Sequence, residues 1–502
     1  MIRSILVRSL MMVVALVHIA TLQAQFFTQI GSDIDGEVAI DQFGSGVSLS
    51  QDGSRIAIGA PNDGGAGAYA GDVRVFEWGS GTWSQVGADI NGEAPYDVLG
   101  SALALSADGT RLAIGGPGND GNGFEAGHVR VFEENGGVWT QLGADIDGEG
   151  VGDQSGYSVA ISADGNRVVV GAYTNGDGGT DAGHVRVYEL SGGTWVQLGG
   201  DIDGQDEGDW CGFSVSVSAD GTRIAIGSRN SSANGANSGH VRVFTYGSGT
   251  WTQIGQDIMG ESSNDLAGQS VSLSADGSRL AIGAVGDGGV GTNAGYVQVY
   301  TEIGGTWTQL GVDIDAEGAG DACGASVSLS GNGTLLAIGS RFNSGNGPAA
   351  GHARVFREVG GTWAQVGPDI DGEAAHDQAG REVSFSGDGE RFAVAAPLND
   401  GAGSNAGHVR VYELTAFIGV PEIGEEEALP VMPVPATDVL YIEVPERAVL
   451  RLFDTAGQLL LSQPLAAGRI PIDVTAIPPG AYIAELRPHQ GGTSRFAKVL
   501  VE

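Results

Sequence analysis

Lysine is almost missing from this chain of 502 residues. Lys498 is the one copy, set against 61 aspartates and glutamates, and the formal net charge is −37. A surface of that sign repels nucleic acid and anionic membrane headgroups, which excludes both as general partners. Cysteine is nearly as scarce. Cys211 and Cys323 fall at one register of repeats four and six, which do not adjoin in a closed ring. Bridged Cα atoms lie within about 7 Å, so no disulfide is expected. Long apolar runs are missing beyond the N-terminus, which leaves no membrane span in the mature chain. No stretch combines a helical period with helix caps. Phosphate-binding glycine loops, zinc-ligand spacings and nucleophile elbows are missing too.

Glycine is plentiful, at 87 residues, but it recurs at fixed intervals. The phrase aromatic-x-Gln-x-Gly opens at Phe27, Trp83, Trp139, Trp195, Trp251, Trp307 and Trp363, each 56 residues after the last. A fixed period of this size marks a repeat architecture. Within one period, Ala102 to Leu105 reads as a strand, Asp108-Gly109 as a hairpin turn and Arg111 to Gly115 as the returning strand. Val129 to Phe132 is a third strand, and the segment from Trp139 is the fourth. Four antiparallel strands in each of seven units predict an all-β fold, a seven-bladed β-propeller. At position 419, where the next aromatic is due, the chain has glycine. The missing strand stands at the other end, Phe27 to Gly31. Pairing it into the last blade would leave no open sheet edge.

The ends carry other signals. Arg3 and Arg8 followed by the apolar run from Leu10 to Ala20 read as a signal peptide over 1–24, cleaved after Ala24. No cysteine follows that run, so no lipid anchor is expected. The propeller spans 25–418, and an acidic, proline-bearing linker spans 419–432. A near-neutral tail, 433–502, has short alternating segments that predict a small β-sandwich.

Two stretches resemble known families. Gly268 to Ser274 followed by Leu280 to Ala284, with Phe43-Gly44 and Gly59-Ala60-Pro61 in the first repeat, resembles the FG-GAP repeats of integrin alpha-subunit propellers. That resemblance implies a propeller and, in many members, calcium in an acidic loop between the first two strands of a blade. Here that loop is a tight turn, Ala275 to Ser278. The tail is similar to the C-terminal sorting domain of the type IX (Por) secretion system. The match is carried by Pro433 to Ile442, Leu452 to Gly457, Pro479 to Ile483 and Lys498 to Leu500. It implies the type IX machinery as a partner, export across the outer membrane, and a secreted or surface-attached product.

Three features carry candidate chemistry. The first is the acidic loop, Asp145, Asp147, Glu149 and Asp153 in repeat three and Asp369, Asp371, Glu373 and Asp377 in repeat seven. Alternating carboxylates suit Ca²⁺; they equally suit turns in which carboxylates accept backbone N–H bonds. The second is His-x-Arg on the third strand, at His128/Arg130, His184/Arg186, His240/Arg242, His352/Arg354 and His408/Arg410. A metal ring is one reading, and a structural ion pair is the favoured one. Repeat five replaces both residues, by Tyr296 and Gln298, and also carries Met259 in place of a loop acid. This shared loss predicts that the arginine pairs with that acid, although repeat two keeps Arg130 beside Asn91. The third is Ser106-Ala107-Asp108-Gly109-Thr110, which departs from the sialidase Asp box in spacing. Recurrent tryptophans read as core rather than sugar platforms.

The repeats are too alike to display an asymmetric active site. Trp210, Arg229, Arg341 and His376 break the pattern without forming a recognisable set. The sequence therefore predicts a monomeric, non-enzymatic extracellular scaffold binding a protein or glycan through its acidic face. The alternative is a secreted polysaccharide-active enzyme with its site on the propeller axis.

Overall fold

In the computed structural model, the described residues are 27–414 except 287 and 289, together with most of 431–501 except the short stretches joining its strands. The segment expected to be a signal peptide and most of the expected linker lie outside them. The described residues form no helix, so no helix long and apolar enough to cross a membrane occurs among them. Two compact units are present, one of them Phe27–Leu414.

That unit holds seven separate antiparallel sheets. Blade two shows the pattern. Ala102–Leu105 is innermost, followed outward by Arg111–Gly116, His128–Glu134 and Trp139–Gln141. A two-residue strand, Ile146–Asp147, then turns back and pairs with His128 and Val129. The Asp-Gly turn is held by its own carboxylate. Asp108 accepts bonds from the Ser106 hydroxyl (2.7 Å), the Thr110 amide (3.0 Å) and the Thr110 hydroxyl (2.8 Å). Gly109 takes the left-handed conformation (φ 67°) that the turn needs. Against the cost of burial, those bonds hold the Asp108 carboxyl below its ordinary range. These residues are turn-builders.

The apolar core lies between neighbouring sheets. Ile56, Ile58 and Phe76 of blade one pack with Phe43, Ala393, Val409 and Val411 across the closing junction. Approach is close enough that only glycine fits at some places. A Cβ added to Gly59 would sit 2.0 Å from the Gly100 carbonyl oxygen. The marker tryptophans staple each blade to the one before. Trp139, Trp195 and Trp251 donate their indole N–H to the carbonyls of Val86, Leu142 and Leu198, at 2.9, 2.7 and 2.7 Å. The hairpin turns add a main-chain circle near the axis. Gln51 donates to Ala107, Ala107 to Ala163, and so on through Gly331 and Gly387, and Asp388 closes it on the Gln51 carbonyl at 2.9 Å.

The N-terminal strand closes the ring as its sequence predicts. Phe27 pairs with Leu414 and Gln29 with Tyr412, while Ile34 and Asp35 pair with Val409 and His408. Phe27 is buried edge-on against Phe392, with centroids 5.4 Å apart, and against Tyr412 at 5.8 Å. Cys211 and Cys323 are buried free thiols.

The tail is a second packed unit. A three-stranded sheet with Val439–Val444 at its centre and a four-stranded sheet built on Ala448–Asp454 share one core, in which Leu440 and Ile442 meet Leu450 and Leu452. Two strands go beyond the sequence reading. Gly468–Asp473 completes the smaller sheet, and Val431–Met432, read as linker, pairs with Ile442 and Tyr441.

Phe27→Ala is expected to cost about 3 kcal/mol, the usual loss for a buried phenylalanine. Equilibrium urea unfolding of the exported chain measures it.

Candidate functional site: blade junctions and the axial mouth

The chain passes from each sheet to the next through the acidic loop, so carboxylates close in sequence separate in space. In repeat three, Asp145 stays in blade two, where its Oδ2 faces His128 Nδ1 at 3.6 Å. Glu149 has crossed over and pairs with Arg186 of blade three. Asp147 is exposed. Asp153 is buried and accepts the Gly150 amide at 2.8 Å. Repeat seven divides likewise. Asp369 faces His352 (3.8 Å), Glu373 lies 3.8 Å from Arg410, and Asp377 accepts the Ala374 amide (2.9 Å) and the Asn399 side chain (3.0 Å). Asp371 gives its main-chain carbonyl to Arg410 at 2.7 Å.

Four of the seven junctions therefore gather four side chains of one kind. There a Glu comes from the loop leaving one blade, and His, Arg and Asp come from the next. The histidines are buried, and burial lowers their basicity, so they stand neutral. Four of the arginines, Arg74, Arg130, Arg186 and Arg410, reach the loop Glu. Arg74 meets Glu37 at 3.1 Å and Arg130 meets Glu93 at 3.3 Å, while Arg186 joins both Glu149 and Asp201. This corrects the pairing drawn from repeat five. At the Met259 register the arginine uses the backbone, taking the carbonyls of Asn91 (3.1 Å), Asp203 (2.7 Å) and Asp315 (2.8 Å). Asn91 therefore keeps its arginine, and Met259 loses no ion pair.

Accordingly, Met259→Asp should change stability by less than about 0.5 kcal/mol. Arg186→Ala should cost about 2 kcal/mol, because two charge-assisted bonds go with it. Paired urea titrations test both.

A different set converges where the seven inner strands begin. The register that opens each inner strand or immediately precedes it reads Ser45, Ser101, Tyr157, Phe213, Gln269, Ala325 and Arg381. The register just after each second strand reads Pro61, Pro117, Tyr173, Arg229, Val285, Arg341 and Pro397. Both lie at the long-loop end of the axis. Tyr157, Tyr173, Trp210 and Phe213 form one aromatic wall. Tyr157 and Tyr173 have centroids 4.3 Å apart, Tyr173 and Trp210 5.2 Å, and Trp210 stacks on Phe213 at 6.0 Å. Trp210 holds φ at 59°, a conformation that the same position takes in every repeat, from Gln42 (55°) to Gln378 (54°). Arg229 lies over the Phe213 ring at 4.9 Å.

Arg229, Arg341 and Arg381 come from blades four, six and seven, and all three act electrostatically on Tyr157. Burial and the repulsion of Arg381 and Arg229 push the Arg341 guanidinium down. The Nε atoms of Arg229 and Arg341 are buried without a hydrogen-bond partner. Glu382 accepts the Ser326 hydroxyl at 2.9 Å. Burial raises its carboxyl to about 7, against the pull of Ser326, Arg381 and Arg341. Trp210, Arg229 and Arg341 thus do form a set, completed by Tyr157, Tyr173, Phe213, Arg381 and Glu382. The sequence signal was variation at two registers of an otherwise uniform repeat.

No curated protein matches this sequence. Among solved structures, a GH74 enzyme from Niastella koreensis aligns at 16% identity and a TM-score of 0.46, over 94% of this chain and 74% of its own. The Dos1 propeller aligns at 14% identity and 0.44, over 78% of this chain and 96% of its own. The blade count rests on the sheet topology. Residues 430–502 match the secretion system C-terminal sorting domain. The chain is therefore a seven-bladed β-propeller carrying a type IX sorting tail, exported to the cell surface or the extracellular space.

Proposed function

We propose that this exported propeller is a non-catalytic binding module and that the axial mouth is its binding site. The observation carrying this reading is the convergence of Arg229, Arg341 and Arg381, which form no ion pair among the described residues, beside an aromatic wall. Elsewhere in the propeller, arginines such as Arg111, Arg167 and Arg186 hold carboxylates at 3 Å or less. Three guanidiniums held together against mutual repulsion suit an anion. The rings supply a flat apolar face for the rest of the ligand. The reading moves the ligand from the acidic loops to the basic centre of the same face.

An enzyme acting on polysaccharide would use two carboxylates in distinct roles. At the mouth, Glu382 is the carboxylate that acts on Arg341, and it is bonded to Ser326. That arrangement supports binding without turnover.

Inorganic sulfate is the first probe. At a hundred times its dissociation constant it should add about 2.7 kcal/mol to stability. Arg341→Ala and Arg229→Ala should each abolish most of that gain. A gain unchanged in both variants would remove the mouth from consideration.

The response should also depend on pH. Glu382 ionises as pH rises through about 7 and places a negative charge beside Arg341 and Arg381. Sulfate stabilisation should therefore weaken over that rise, and Glu382→Gln should flatten the profile.

A further inference from the structure

Five blade junctions carry both a loop Glu and an arginine, and at one of them, between blades five and six, the two do not pair among the described residues. At the junction of blades two and three, Arg186 joins Glu149 to Asp201. Between blades four and five, the Gln298 amide donates to Glu261 at 3.0 Å and Asp313 at 3.1 Å. Between blades three and four, the loop residue is Gln205, which donates directly to Asp257 at 3.2 Å. Between blades five and six stand Glu317, His352 and Asp369. There Arg354 turns away, giving its Nη2 to the Asp315 carbonyl (2.8 Å) and the Cys323 thiol (3.4 Å). No arginine pairs with Glu317 or Asp369 among the described residues.

His352 fills the gap without bonding to it. It is 1% exposed, and neither ring nitrogen has a hydrogen-bond partner. Its Nδ1 faces Glu317 Oε2 at 4.0 Å and Asp369 Oδ2 at 3.8 Å, too long for hydrogen bonds. The other Asp369 oxygen is held by Gln365 at 2.7 Å, which fixes the carboxylate's orientation. A buried imidazole aimed at two carboxylates is a ligand set. Two ligands each about 2.1 Å from one ion stand about 3.4 Å apart at the tetrahedral angle, so each His–carboxylate leg needs to close by about half an ångström; all three ligand atoms already lie within 4.8 Å of one another.

We propose that Glu317, His352 and Asp369 bind one divalent cation of the zinc class, which bolts blade five to blade six. One nitrogen and two carboxylate oxygens favour Zn²⁺ or Co²⁺ over Ca²⁺ and Mg²⁺, which take oxygen ligands. The fourth position belongs to water. Between blades four and five an amide does the ion's work, and between blades two and three an arginine does.

The test uses untagged full-length protein, stripped with chelator and titrated with Zn²⁺, Co²⁺, Ca²⁺ or Mg²⁺. Metal content per chain, the visible spectrum of the Co²⁺ form and the thermal midpoint are read. The expected result is one retained zinc, a tetrahedral Co²⁺ spectrum and a zinc-dependent rise in the midpoint. Glu317→Gln copies the natural Gln205 junction, and the His352 register already holds Tyr296 in blade five and Asp72 in blade one, so both Glu317→Gln and His352→Gln should fold. Each should weaken zinc binding about tenfold or more. His184→Gln, at the arginine-bridged junction, should leave the zinc content unchanged. No retained zinc, zinc retention unaffected by Glu317→Gln and His352→Gln, or a rise with Ca²⁺ alone would overturn the assignment.

Discussion

A sheet of four short strands has two apolar faces and cannot bury either by itself. Everything in the propeller follows from the need to cover each face with the next sheet and to let the seventh meet the first. Its recurrent residues serve that contact. The indole N–H of Trp139 reaches back to Val86, the Ala107 amide reaches forward to Ala163, and Gly59 leaves room for Gly100. Phe27 matters beyond its size because it brings the last sheet edge into the ring. The core is thus seven inter-sheet seams, and stability is shared between sheets and seams.

Charge is managed at the same seams. Six of the seven connecting loops carry a Glu onto the next blade, most often to meet His, Arg and Asp. In a chain of net charge −37 these meeting points are where repulsion would open the ring. The junctions solve it in several ways, by guanidinium at Arg186, by amide at Gln298 and by loss of the acid at Gln205. Buried neutral histidines fill the space behind them.

Most of the fold was legible in the sequence because its determinants are local and repeated. The period, the Asp-Gly turns, the inner strand and the closing strand at Phe27 all follow from residue spacing. The junction chemistry was harder to read. Asp145 and Glu149 are four residues apart, yet the chain changes sheets between them, so spacing suggested one cation cage where the structure has two junctions and a turn. Met259 misled for a related reason: at that register the useful group is a main-chain carbonyl, which the sequence does not vary. The axial mouth was invisible as a set, because Arg229, Arg341 and Arg381 come together only when the ring closes. Positions uniform across the repeats hold the ring, and positions that vary are free to meet a ligand. Trp210 illustrates the division: its left-handed backbone is shared by the same position in every repeat, while its side chain is its own and stacks on Phe213.

The central claim is that the axial mouth receives an anion. Its most direct test is a crystal structure of the propeller soaked in selenate, with the ion located by its anomalous signal. A peak within hydrogen-bond reach of Arg229, Arg341 and Arg381 is the predicted result. An empty mouth with those arginines paired to protein carboxylates, Glu382 among them, would contradict it.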